Sequence, residues 1–92
     1  MNIIANEDIE NALSNLNGWA FENDKISKEF EFENFKEALS FIVRIGLEAE
    51  NLGHHPELFN VYNKVKIELN THDAGNKVTQ KDIELATAIE SI

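Results

Sequence analysis

The 92-residue sequence predicts an α+β fold in which a four-stranded antiparallel sheet carries its helices on one face. Three segments repeat apolar residues at the spacing of an amphipathic helix, and four shorter segments read as strands. Asn, Asp and Gly residues punctuate the boundaries between them. The resulting order is α-β-β-α-β-β-α, and residues 1–92 are expected to form one domain.

The first helix is expected to begin at Asn6 as its N-cap and to end at Asn17-Gly18. Glu7 and Asp8 would then lie in the first turn, where the helix dipole favours negative charge. The apolar residues at helical spacing form one stripe: Ile9, Ala12, Leu13 and Leu16.

Two strands should follow, at residues 19–22 and 25–32, with Asn23-Asp24 as the turn between them. The second alternates, with apolar Ile26, Phe30 and Phe32 on one face and acidic Glu29 and Glu31 on the other. Lys28 interrupts the apolar face, which suggests an edge strand.

The longest helix is predicted from Asn34, an N-cap with Glu37 as its reciprocal partner, to about Leu52. Gly53 then suits the left-handed residue that ends a helix. The apolar residues of this segment cover more than one stripe, so one sheet cannot bury them all. We therefore expect a subunit interface on this helix, in a homodimer or homotetramer.

Residues 58–62 and 65–71 read as a β-hairpin that turns near Asn63-Lys64. In its second strand, one face carries Val65, Ile67, Leu69 and Thr71, and the other carries Lys66, Glu68, Asn70 and His72. Residues 73–77 read as a loop.

The last helix should begin with a capping box formed by Thr79 and Asp82. Val78 and Ile83 are placed as a hydrophobic staple across this cap. The buried stripe of the helix is supplied by Ile83, Ala86 and Ile89.

Composition narrows the function classes. Seventeen acidic against eight basic residues give a formal charge of −9, which disfavours nucleic acid and anionic membranes as partners. Without cysteine, a disulfide or a thiolate metal site is impossible. No signal peptide or membrane-spanning run is apparent, so a cytoplasmic location is expected.

All three histidines, His54, His55 and His72, fall within nineteen residues. Histidine exchanges protons near neutral pH, and the carbonyls at the end of the preceding helix favour its charged form. Glu50 and Glu57 would act in the same direction if they fold toward the same site. This cluster is typical of a general acid–base site.

Pro56 restricts His55 to extended backbone, so His54 and His55 should point to opposite sides and play different parts. His72 can join them only if the ends of the long helix and the fourth strand converge. Two other interpretations remain open: a surface turn with solvated histidines, and a zinc site with three protein ligands. The divergence of neighbouring histidines makes zinc the weaker of these.

The ordered spacing Glu50-x3-His54-His55-Pro56-x5-Tyr62-x9-His72-x9-Asp82 resembles the signature of the pterin-4a-carbinolamine dehydratases. Residues 54–65 are similar to that family's core segment. The resemblance implies the same α+β fold and dehydration of 4a-hydroxytetrahydrobiopterin to quinonoid dihydropterin plus water, in tetrahydrobiopterin recycling. It implies a small-molecule pterin substrate and neither a metal nor a redox cofactor.

The resemblance also implies residue roles. His54, His55 and His72 would be catalytic, with His54 and His72 as the acid–base pair and His55 mainly holding the pterin. Glu50 would hydrogen-bond the substrate or orient a histidine. The substrate-binding residues would be Glu50, Gly53, His54, His55, Asn70, Thr71, His72 and Asp73.

This sequence departs from the family pattern in two places. Lys81 stands where an arginine is common, and the loop after His72 is one residue longer than in many members. The alternative function is a protein-interaction or dimerisation module that uses the long helix.

Overall fold

The computed structural model describes residues 3–92, and the predicted fold class is confirmed. No helix in this part of the chain is long and apolar enough to cross a membrane. The elements are α1 (Asn6–Leu13), β1 (Ala20–Glu22), β2 (Lys25–Glu31), α2 (Phe35–Leu52), β3 (Glu57–Val61), β4 (Lys64–Leu69), a single 3₁₀ turn (His72–Ala74) and α3 (Gln80–Glu90).

The four strands are ordered β1-β2-β4-β3 and every neighbouring pair is antiparallel. In the central pair Ile26 faces Leu69 and Phe30 faces Val65. These positions share the sheet face that packs into the core, where Ile26, Val65 and Leu69 are completely buried. Full burial of each such side chain stabilises the fold by about 1.5–3 kcal/mol.

Helix α1 differs from the prediction at both ends. Its N-cap is Ala5, which has no side-chain cap, and Asn6 is the first helical residue. Here the Ile4 N–H donates to the Val78 carbonyl at 3.2 Å, so tertiary pairing holds the chain up to the helix start. The helix ends early, at Leu13, where the Ser14 hydroxyl donates back to a carbonyl of the last turn.

Helix α2 is capped at both ends by the predicted residues, Asn34 and Gly53. The Asn34 side chain accepts the Glu37 N–H at 2.9 Å, as predicted, and Gly53 is left-handed. The predicted reciprocal bond to Asn34 is wrong, because the Glu37 carboxylate accepts from the Glu33 N–H instead, at 3.3 Å.

The hairpin β3–β4 turns one residue earlier than predicted, at Tyr62-Asn63. Tertiary bonds decide this position, because the Asn63 side chain donates to the Phe32 carbonyl and the Phe32 N–H donates to the Asn63 carbonyl, both at 2.8 Å. Strand β4 stops at Leu69, two residues before the predicted end. Thr71 instead forms an isolated bridge with Lys77.

Lys28 does not mark an edge strand, since β2 lies inside the sheet. It faces Ile67 on the core side, and its ammonium lies 4.6 Å from the centre of the Phe30 ring. The ammonium donates to Glu90, at 2.9 Å, and to the Asn17 carbonyl, at 2.8 Å. The alkyl stem thus covers apolar surface while the charge is paired at the rim of the core.

Lys25 links three strands by donating to Glu57 on β3, at 2.6 Å, and to Glu68 on β4, at 3.2 Å. The hydrogen bonds to Glu57 and Glu68 raise the pKa of Lys25. Partial burial alone would raise the pKa of Glu68, but the hydrogen bonds from Lys25 and Lys66 outweigh it and hold that pKa below its ordinary value.

The stabilisation by Lys25 should therefore depend on pH. The lowered pKa of Glu68 adds stability above the unfolded value of about 4.3, which is lost as pH falls through the lower folded value. The raised pKa of Lys25 adds stability that disappears only as pH rises beyond about 10.4. Urea denaturation should show Lys25→Met less stable than the unmodified chain at pH 7, with a smaller difference at pH 3.

Lys64→Met, on β4, is the matched control, because Lys64 has no ion pair within residues 3–92. Its effect on the free energy of unfolding should be small and similar at both pH values. A Lys25→Met effect of equal size at pH 3 and pH 7 would show that this link is not electrostatic.

Candidate active site

A cleft of about 220 Å³ lies where the C-terminal end of α2 meets the chain leaving β4. It contains every predicted site residue except Glu50. Its lining residues are Gly53, His54, His55, Asn70, Thr71, His72, Asp73 and Lys81. The three histidines, drawn from two distant segments, therefore share one cleft.

Gly53 directs the first two histidines into this position. Its φ of 64° is left-handed, and its N–H donates to the Glu50 carbonyl at 3.1 Å. The next N–H, of His54, donates to the Ala49 carbonyl at 3.1 Å. These two bonds satisfy carbonyls at the helix end, so the chain leaves α2 directly at the cleft.

His54 and His55 have different surroundings. His54 is 9% exposed, and its Nε2 lies 2.5 Å from Asp82 Oδ1. The side chain of His55 is 67% exposed, and its Nε2 lies 2.5 Å from Glu50 Oε1. Of the two parts considered for Glu50, the structure shows contact with a histidine. Glu57 pairs with Lys25 instead of joining the cleft.

His72 reaches the cleft from a closed loop. It was predicted at the end of the fourth strand, but it lies beyond β4 and begins a 3₁₀ turn, and its carbonyl accepts the Gly75 N–H at 3.0 Å. Thr71 closes the loop: its N–H donates to the Lys77 carbonyl at 2.8 Å and its carbonyl accepts the Asn76 N–H at 3.1 Å. These bonds fix the backbone on both sides of His72.

A second, wider cleft of about 620 Å³ adjoins the first, since Asn70 and His72 line both. Its other lining residues come from the β1–β2 turn, from the first residues of β2 and β3, and from the loop after His72. They are Asn23, Asp24, Lys25, Glu57, Gly75 and Asn76.

Asp82 belongs to the candidate site through contacts that the sequence analysis missed. The predicted capping box is present, with the Thr79 N–H donating to Asp82 Oδ2 at 2.9 Å. The staple residues Val78 and Ile83 are both buried in the core. However, the carboxylate is completely buried and also contacts His54 and the Thr71 hydroxyl. The signal was available: a cap uses one carboxylate oxygen and leaves the other free.

Lys81, in the first turn of α3, places a cation at the cleft. Within residues 3–92, no group of three or more His, Asp or Glu side chains is arranged to hold a metal ion.

Comparison with known proteins agrees with this architecture. The sequence matches the family model described as pterin 4 alpha carbinolamine dehydratase over residues 3–92. An Opitutus terrae protein with the provisional name pterin-4-alpha-carbinolamine dehydratase is 52% identical over 90 residues, 98% of this chain and 93% of that protein. A Christiangramia forsetii protein with the same provisional name is 47% identical over 92 residues, 100% of this chain and 94% of that protein.

A crystal structure described as a transcriptional coactivator/pterin dehydratase from Brucella melitensis has the same fold. Its TM-score is 0.92 at 37% sequence identity, over 98% of this chain and 97% of that one. The chain belongs to the pterin-4-alpha-carbinolamine dehydratase family. The resemblance noted in the sequence is confirmed, and with it membership of a family of hydro-lyase enzymes.

The backbone at Gly53 gives a direct test of how the cleft is built. A Cβ at this position would meet no atom within 4 Å, so the cost of Gly53→Ala comes from left-handed backbone alone. We expect Gly53→Ala to lower the free energy of unfolding by roughly 1–2 kcal/mol, and Gly53→Asn by less, in urea denaturation.

Gly46→Ala is the matched control, because Gly46 lies within α2 and a Cβ there also meets nothing within 4 Å. It should stabilise the helix by about 0.5–1 kcal/mol. Equal stability of Gly53→Ala and the unmodified chain would rule out a conformational requirement for glycine at the cleft.

Proposed function

We propose that this chain dehydrates pterin-4a-carbinolamine, 4a-hydroxytetrahydrobiopterin, to quinonoid dihydropterin plus water. The observation that carries the proposal is the convergence of His54, His55 and His72 on one cleft. Family membership supplies the substrate class. The product would be reduced again elsewhere, so the reaction would serve tetrahydrobiopterin recycling, and we expect it in the cytoplasm.

The reaction needs one proton given and one taken. The 4a-hydroxyl leaves as water after it receives a proton, and a ring nitrogen loses a proton as the new double bond to C4a forms. No electron leaves the substrate, and acid–base groups are sufficient for the chemistry. We assign these proton transfers to His54 and His72, which enter the cleft from different segments.

Binding of the pterin would use the remaining lining groups. The side chain of His55 is exposed and is held by Glu50, which suits it to contact the ring face or edge. Backbone groups of Gly53 and the side chains of Asn70, Thr71 and Asp73 offer donors and acceptors to the amide edge of the pterin. A neutral ring also escapes the repulsion that a chain of charge −9 exerts on anions.

Replacing the histidines one at a time tests these roles. His54→Gln and His72→Gln should each lower kcat by about 10²- to 10⁴-fold, the range of general acid–base catalysis. His55→Gln should act mainly on KM, because its part is to hold the substrate. Stopped-flow absorbance of carbinolamine decay, corrected for the spontaneous reaction, measures both constants.

Tyr62→Phe is the control, since Tyr62 belongs to the sequence signature but is exposed in a turn outside the cleft. It should behave like the unmodified chain. The proposal is wrong if the unmodified chain gives no acceleration over the spontaneous reaction.

A second proposed property is self-association through α2. Its outer surface carries a row of half-exposed or exposed apolar side chains at intervals of four residues, namely Phe35, Leu39, Val43 and Leu47. Such a row on a helix is typical of helix–helix contact between subunits. We propose a homodimer or homotetramer; the alternative is a different protein client, an option raised by the coactivator description of the Brucella melitensis structure.

Leu47→Glu should dissociate this assembly, because Leu47 is 62% exposed in the single chain and a carboxylate there would be buried without a partner. Sedimentation velocity should show a shift toward monomer. Asn11→Glu adds the same charge at an exposed position of α1 and should leave the distribution of monomer and oligomer unchanged. A monomeric unmodified chain would instead favour the client.

A further inference from the structure

Asp82 has contacts beyond its part in the capping box of α3. Its side chain is completely buried, and both carboxylate oxygens have partners. Oδ2 accepts from the Thr79 N–H and from the Thr71 hydroxyl, both at 2.9 Å. Oδ1 lies 2.5 Å from His54 Nε2.

The hydroxyl groups of Thr71 and Thr79 form a chain of hydrogen bonds in which every donor points toward Asp82. The Lys81 N–H donates to Thr79 Oγ1 at 3.3 Å, and Thr79 Oγ1 lies 2.7 Å from Thr71 Oγ1. Since the Thr71 hydroxyl donates to Asp82, the Thr79 hydroxyl supplies the proton between the two threonines. Every group facing Oδ2 is therefore a donor, and the α3 N-terminus adds the positive end of its dipole.

This surrounding suits a carboxylate, which can only accept hydrogen bonds. The contact at Oδ1 must then be donated by the imidazole, so Nε2 of His54 carries a hydrogen. In the neutral ring, Nδ1 is left without one and has its lone pair free.

We infer that Asp82 is a positioning residue that holds His54 as the Nε2–H tautomer, so that Nδ1 is the atom that exchanges protons in the cleft. Neutral His54 accepts a proton at Nδ1, and its imidazolium gives one back from the same atom. The inference deepens the proposed function and rests on it for its kinetic consequences. Its structural part, the tautomer, stands on the geometry alone.

Neither of the other two histidines has a buried carboxylate partner of this kind. The Glu50 carboxylate that faces His55 is 75% exposed, so water competes for the contact. Within residues 3–92, the His72 side chain makes no hydrogen bond or ion pair with another side chain. A fixed tautomer is thus expected for His54 and not for His72.

The tautomer can be measured directly in the unmodified protein. Long-range ¹H–¹⁵N correlation spectra distinguish Nδ1–H from Nε2–H rings, and three histidines can be assigned with single His→Gln variants. At a pH where the ring is neutral, His54 should be the Nε2–H form, and His72 a mixture. Finding His54 as the Nδ1–H form, or as a mixture like His72, would overturn the inference without any activity assay.

Asp82→Asn tests the consequence, because asparagine keeps the size and the acceptor for the Thr79 N–H. Its amide would place a donor against His54 Nε2 and force the Nδ1–H tautomer. We expect the spectra to show that change and kcat to fall by about 10²-fold or more, with KM changed much less. The pH profile of kcat should also alter.

Thr79→Val is the matched control. It removes the hydroxyl that bonds to Thr71, and it keeps the Thr79 N–H that donates to Asp82. It should lower stability, yet leave the His54 tautomer as it is and kcat within about threefold. Similar kcat losses in both variants would assign Asp82 a structural part only and overturn the inference.

The two proposals can fail separately. A chain with the expected His54 tautomer but no acceleration of carbinolamine decay would contradict the dehydratase function and leave the positioning intact. Activity in the unmodified chain with unchanged kcat in Asp82→Asn would contradict the positioning alone. If Asp82→Asn does not fold, the spectra of the unmodified protein decide.

Discussion

The buried carboxylate of Asp82 is the constraint on which the cleft depends. It joins three parts of the fold: the N-terminus of α3 through Thr79, the segment that follows β4 through Thr71, and the segment that follows α2 through His54. A buried charge is costly unless all its lone pairs are used. Both oxygens of Asp82 have hydrogen-bond partners. Removing any one partner would leave the buried carboxylate with fewer hydrogen bonds to offset the cost of its burial. The three segments are therefore held together.

The sheet and the caps bring those segments into range. The β2–β4 register buries Ile26 against Leu69 at the end of β4 nearest the cleft. Left-handed Gly53 ends α2 and turns the chain so that His54 follows at once. The loop that carries His72 is closed by the bridge between Thr71 and Lys77. Backbone bonds thus set the positions of the histidines, and the side-chain network sets the orientation of one of them.

The chain separates its chemistry from its apolar surface. The cleft lies at the C-terminal end of α2, whereas the apolar row begins at Phe35, in the first turn of that helix, and runs along its outer face. Self-association on this row would leave the inner face of α2, with Ala38 and Ile45, in the core. One helix can therefore support the sheet, carry an interface and end at the cleft.

Much of this protein could be predicted from its sequence. Local chemistry determined the element order, the Asn34 cap, the end of α2 at Gly53 and the capping box at Thr79, because each depends on residues a few positions apart. The histidine spacing also identified the family. Where local rules failed, at Asn6 and at the hairpin turn, a hydrogen bond from a distant segment had decided the boundary.

Tertiary structure alone decided how the histidines are arranged. The sequence shows that His54 and His55 must differ, because extended backbone before Pro56 turns neighbours apart. It cannot show which one is buried, nor that Asp82 meets His54 across 28 positions of the chain. The reason is physical: spacing along a strand or helix controls local direction. Burial and partner choice depend on how separate elements pack.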